Sequence, residues 1–405
     1  TSQIKQGLST VQLVALGSAQ ITALTTAQTS LGLSTTQIVA LTTEQVNQGL
    51  TTEQINLGLS TAQVRAMETR DIAALTTASI VALATEQVVA LSSAQILALG
   101  TTQIAVIETR DIAALTTAQV KLGLSTDQVV ALTTEQVRQG LSTQQINQGL
   151  TTAQVSVIET QDIAALSTAQ IAALTTAGIV ALTTEQVNLG LTTEQISLGL
   201  STAQVAALTT ADISSLLTEQ ISLGLSTAQI VALTTAQAAS LSPAQLSQGF
   251  SNAQVAALET RDVAALSTQA VAAMTTTQVS QGLTTAQIVA LSNTSTGQIV
   301  ALTTAQIVAL GTVQVAVIET QDIAALSTAQ IAVLTTAQIV ALTTAQVNQG
   351  LTTGQIVALG TTQVAAIETG DIAALTTAHV AALTTSQIKQ GLSTVQLVAL
   401  GSAQI

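Results

Sequence analysis

An eight-residue unit, L-[ST]-T-x-Q-[IV]-x-A, runs through the whole chain and leaves little freedom in the choice of fold. With Leu as position 1 and Gln as position 5, one copy reads Leu41-Thr42-Thr43-Glu44-Gln45-Val46. The Gln recurs at Gln3, Gln12, Gln20, Gln28, Gln37, Gln45, Gln54 and Gln63, in steps of eight or nine residues. The nine-residue steps carry an extra Gly just before the next Leu, as at Gly7, Gly32, Gly49 and Gly58. Such self-similarity marks a stack of repeats, in which each repeat buries its apolar face on its neighbours. A longer period lies above the short one, because residues 1–21 return unchanged as residues 385–405. The expected organisation is one continuous array over 1–405. In it, 1–384 form one block and 385–405 open the next, and the start at Thr1 marks an excerpt of a longer chain.

Strands should show strict alternation of apolar and polar residues, and that is absent. Helix starts are present in every unit. Thr or Ser at position 2 with Gln at position 5 is a capping box, and Leu at position 1 with Ile or Val at position 6 is the matching hydrophobic staple. The single proline agrees with this register. In Leu241-Ser242-Pro243-Ala244-Gln245 it falls at the first helical position, where a missing N–H costs nothing. Acids at position 4 (Glu44, Glu135, Glu194) and bases at position 7 (Lys121, Arg138) suit the helix dipole. The extra Gly falls where a left-handed residue would end a helix. Each unit therefore predicts a helix of about six residues, a length that is not stable in isolation. The expected fold is an all-α solenoid of these short helices in eight- to nine-residue repeats, with positions 1, 6 and 8 lining the core. A β-solenoid with threonine ladders is the alternative, favoured by the β-branched content.

Composition then narrows function. Phe250 is the only aromatic residue, Cys is absent, and His379 is the only histidine. That stock excludes cysteine nucleophiles, Cys/His metal sites and aromatic stacking platforms. No Gly-x-Ser-x-Gly elbow or glycine-rich phosphate loop occurs, so no enzyme activity is expected. Eight Lys and Arg against 21 Asp and Glu give a net charge of −13, which argues against a nucleic-acid partner. No apolar run approaches the length of a membrane-spanning helix. Asn293-Thr294-Ser295 fits a glycosylation sequon in the one irregular corner.

One class of unit departs from the consensus as [MIL]-E-T-x-D-[IV]-A-A-L. Its acidic pairs are Glu68/Asp71, Glu108/Asp111, Glu159/Asp162, Glu259/Asp262, Glu319/Asp322 and Glu368/Asp371, with a degenerate seventh at Asp212. Successive Asp positions lie 40, 51, 50, 50, 60 and 49 residues apart. The commonest interval is six units, so about six units per superhelical coil are expected, with the marked units stacked along one edge. Three readings of the pairs stay open. They cap helix N-termini, they bind Ca²⁺ as a ladder of hard oxygen ligands between coils, or Arg70, Arg110 and Arg261 neutralise them. No other cofactor is expected.

The run L-T-T-x-Q-[IV]-V-A-L is similar to the opening of the TAL-effector DNA-binding repeat. The 34-residue period, base-reading loop and basic charge of that family are missing, and DNA binding is not carried over. The whole chain resembles the tandem-repeat arrays of giant bacterial surface proteins of the haemagglutinin or haem-utilisation type. That resemblance implies export, an extracellular or cell-surface location and a fibrous role. The expected function is a structural fibre or stalk segment that self-associates into a filament through neighbouring blocks or chains. The alternative is an adhesin-type module gripping a glycan or protein.

Overall fold

The computed structural model describes residues 2–292, 297–401 and 404. The Asn293–Ser295 sequon lies outside the described residues. Helices of three to eight residues follow one another along the chain, and no strand occurs among the described residues. This is the expected all-α solenoid of short helices. They fall into two compact units, Thr1–Ala207 and Leu208–Ile405.

The helix starts form as the capping box dictates. At Ser60, the hydroxyl accepts the Gln63 amide at 3.3 Å, and Gln63 Oε1 accepts the Ser60 amide at 2.8 Å. At the proline, Ser242 Oγ accepts the Gln245 amide at 3.2 Å, which leaves Pro243 in the first turn as expected. The helix ends come in two forms. Eight-residue units close with a short-range bond to the next Leu, such as Leu41 N to Ile38 O at 3.2 Å. Most nine-residue units instead widen into a π-turn, in which Leu50 N reaches Gln45 O at 3.1 Å. The extra residue is thus absorbed inside the helix and both kinds of unit deliver the chain to an equivalent corner.

The glycines of the nine-residue units do not adopt the left-handed conformation expected of a helix terminator. Among the described residues only Gly297 has positive φ, at 68°. Their role is close approach. A Cβ on Gly140 would lie 3.0 Å from Ile112 Cβ, and one on Gly199 would lie 3.1 Å from Ile171 Cβ. Only a hydrogen at that position lets the widened turn rest on the helix beneath it.

That helix belongs to the unit three places earlier. Gln45–Gly49 packs on Ser18–Thr22, Gln136–Gly140 on Thr109–Ala114, and Thr353–Ala358 on Thr328–Ala332. One turn of the coil therefore takes three units, not the six expected from the Asp spacing. Packing explains the smaller number. A helix of six residues is about 9 Å long, so three of them close around an interior that Leu at position 1 and Ile or Val at position 6 can fill. Six would enclose a space too wide for two aliphatic side chains per unit at native density. Positions 1 and 6 are buried along most of the array, as at Leu166 and Ile171, and open up near the C-terminal end, where Ile388 and Leu397 are exposed. Position 8 is only half-buried in eight-residue units, as at Ala66 and Ala82, and the core residue missing from the expectation is Gln at position 5, buried in nearly every turn. Lys121 and Arg138 at position 7 are exposed, as expected.

Candidate functional site

The buried glutamine is the feature on which the rest of the site depends. Its Oε1 is committed to the capping box of its own helix, which leaves two N–H donors on Nε2 to satisfy inside the protein. In Gln154, Oε1 accepts the Thr151 amide at 2.8 Å, while Nε2 donates to Val120 O at 2.9 Å and to Leu124 O at 2.7 Å. Leu124 is the corner residue that links two helices of the preceding turn. The same three bonds recur at Gln45, Gln128, Gln195, Gln254 and Gln355. The result is a polar ladder along the inside of each unit, stitching every turn to the one before.

The Glu/Asp units interrupt this ladder. Each places Asp at the Gln station and Glu at the helix N-cap. Glu68 has N-cap backbone geometry, but its side chain makes no capping hydrogen bond. It turns outward to Arg70, whose Nε lies 2.7 Å from Glu68 Oε2 and 3.7 Å from Asp71 Oδ1. The Arg110 and Arg261 units repeat the arrangement, with 2.6 Å to Glu108 and 2.7 Å to Glu259. Where Arg is replaced by Gln, the amide takes over: Gln161 donates to Glu159 at 2.6 Å and Gln321 to Glu319 at 2.8 Å. Gly370 provides no such side chain beside Glu368. These contacts lie within one unit, and the arginines serve their own Glu rather than a neighbouring coil.

The Asp side chains point inward. Asp71 and Asp111 accept hydrogen bonds from Thr43 at 2.8 Å and Thr85 at 2.6 Å, and Asp262 and Asp371 from Thr235 at 2.8 Å and Thr344 at 2.6 Å. Each threonine belongs to the helix three units earlier. Asp162 and Asp322 stand against Thr134 and Ser292 in the same way, but Asp162 Oδ1, Asp322 Oδ2 and the Ser292 hydroxyl have no hydrogen-bond partner. Asp212 differs by closing its own capping box with Thr209 at 2.9 Å. Burial holds the carboxyls of Asp71, Asp162, Asp262 and Asp322 above the usual carboxylate range. The threonine or serine hydroxyl partly offsets this, as does the neighbouring arginine at Asp71 and Asp262, and the adjacent Glu adds to it.

With three units per turn, a six-unit interval places marked units on the same side but two turns apart. Asp111 and Asp162 are related in this way, as are Asp212 and Asp262, and Asp322 and Asp371. A glutamine unit stands between the members of each pair, so the acidic units do not stack on one another. Among the described residues no three His, Cys, Asp or Glu side chains gather as metal ligands would. His379 sits at the Gln station and shares its helix start with Thr376, whose hydroxyl accepts the His379 amide at 3.2 Å. A shallow, open cleft carries Glu159 and Gln161 facing Thr183 and Glu185 across successive turns. No described helix is long and apolar enough to cross a membrane.

Together the capped short helices, three-unit turns and internal glutamine ladder define a helical tandem-repeat array. Comparison with known families places it more narrowly. The ALTTAQ repeat matches at residues 64–101, 104–139, 155–193, 255–293, 315–349, 349–377 and 364–402, and the chain belongs to that repeat family. No curated protein matches it.

Proposed function

We propose that this chain is a non-catalytic structural segment, a fibre or stalk section of a very long extracellular protein. The observation that carries this reading is the glutamine ladder. Each turn supplies the donors that satisfy the carbonyls of the turn before and presents the same carbonyls to the turn after. A device of this kind adds turns without limit and without a dedicated binding face. The identity of residues 1–21 and 385–405 supports a parent chain of tandem blocks, joined as a filament by neighbouring blocks or chains. The resemblance to bacterial surface arrays supports export and a cell-surface location, and the net charge of −13 fits a role away from nucleic acid. Electron microscopy of the purified chain, paired with sedimentation velocity, tests the proposal. Filaments or end-to-end oligomers are expected, and a monodisperse monomer at high concentration refutes it. The adhesin reading draws on Leu31 and Leu57, each 68% exposed on stacked helices, and glycan or protein capture by a monomeric chain would favour it.

A further inference from the structure

We propose that the buried aspartates Asp71, Asp162 and Asp262 are proton-operated latches between turns, closed when the carboxyl is neutral and loosened when it is ionised. Asp162 carries the argument. It is 2% exposed, it stands against Thr134 of the turn before, and Oδ1 has no hydrogen-bond partner. A glutamine in its place would bring two donors to the preceding turn, as neighbouring Gln170 does to Leu141 at 2.6 Å. The corresponding corner carbonyl for Asp162 is that of Leu132, and among the described residues no hydrogen bond reaches it. The exchange of Gln for Asp thus leaves an unpaired carboxyl oxygen and an unpaired corner carbonyl between the same two turns. Two acceptors without a donor are costly there. A proton on the carboxyl removes the buried charge and restores the missing donor, directly or through one water molecule. The unpartnered Oδ2 atoms of Asp71 and Asp262, with the bare corner carbonyls of Leu41 and Leu233, repeat the arrangement.

The charged groups around Asp162 do not offset this. Its own helix contributes Glu159, which opposes ionisation. The packed segment Gln136–Gly140 carries Arg138, which pairs with Glu135 at 3.6 Å and points to solvent. Gln186–Gly190 on the other side has only Glu185 at its start. Burial raises the carboxyl in the folded state, so the folded protein holds the proton more tightly than the unfolded chain. Stability from this group is full below the unfolded value of 3.8 and is lost as pH rises through the raised folded value. The stack therefore tightens on mild acidification, opposite to ordinary acid denaturation.

The test is hydrogen exchange of the full-length chain, read by mass spectrometry as protection factors over residues 128–166 at pH 4 and pH 7.5. Protection in the unsubstituted protein should be higher at pH 4, by about tenfold for each pH unit by which the carboxyl is raised. Asp162→Asn should make protection over this segment independent of pH, and Asp162→Gln should do so at a higher level by restoring the ladder. Should the Asn variant not fold, the Gln variant carries the comparison. Unchanged pH dependence in either folded variant, or protection in the unsubstituted protein that rises with pH, overturns the proposal.

Discussion

Replacing Gln154 by Ala removes one rung of the ladder and nothing else of size. Gln154 is 3% exposed and makes three bonds, accepting from Thr151 N and donating to Val120 O and Leu124 O. A net contribution of about 1 kcal/mol per bond gives about 3 kcal/mol in total. The carbonyls of Val120 and Leu124 are then left buried without this donor, so this figure is a lower bound. Because stacked repeats open locally rather than all at once, a melting temperature is a poor gauge. Native-state hydrogen exchange over residues 117–160 is the appropriate assay, and protection there should fall about a hundredfold, the equivalent of about 3 kcal/mol. Gln161→Ala is the internal control. That glutamine lies one helix along, is exposed and bonds only to Glu159 at 2.6 Å, so its loss should cost less than about 0.5 kcal/mol. A Gln154→Ala effect no larger than the control would refute the claim that turns are held together by buried amides rather than by aliphatic packing alone.

Gly199→Ala should destabilise by about 1–3 kcal/mol in the same exchange assay, because its Cβ would meet Ile171 at 3.1 Å and the Thr168 carbonyl at 3.2 Å. Gly370→Ala, where nothing lies within 4 Å, should stabilise by about 0.5–1 kcal/mol. Ser142→Ala should cost about 1 kcal/mol by removing the cap that accepts the Gln145 amide at 3.2 Å, measured as lost protection at residues 142–149. Leu198→Lys, at a side chain 71% exposed, should leave stability within about 0.5 kcal/mol while reducing any filament formation that depends on lateral apolar contact, scored by light scattering.

The helices were legible because their signals are local. Ser60 and Gln63, or Ser242 and Pro243, sit within four residues of one another, and the capping box they spell is the one that forms. The number of units per turn was not legible, because it depends on how wide an interior the aliphatic residues can fill. The Asp interval reports two turns rather than one and pointed to the wrong period. The glycines misled for a related reason. A Gly before Leu signals a chain reversal in an isolated helix, whereas Gly140 answers to Ile112, 28 residues away in sequence. The ladder itself could have been inferred from valence. A capping box uses only the carbonyl oxygen of Gln, and a residue repeated so faithfully for that task alone would often be Glu. The two spare N–H donors already called for buried acceptors elsewhere in the chain. The acidic units were found correctly as a class, but their division of labour, with Glu outward on Arg or Gln and Asp inward on Thr, appears only once the neighbouring turn is in place.

The π-turn has a consequence for how such a chain can change length. Because a ninth residue is taken up inside the helix, phase along the array is counted in corners and not in residues. Gain or loss of three whole units returns every later side chain to the side it occupied before, with its rung intact. Gain or loss of one or two units leaves the rungs equally intact but swings everything downstream by a third or two-thirds of a revolution. Thr1–Ala207 preserves such a shift: five units separate Asp71 from Asp111, six separate Asp111 from Asp162, and the first aspartate accordingly faces a different side from the other two. Unequal recombination can therefore redistribute surface chemistry around the array while leaving its interior untouched.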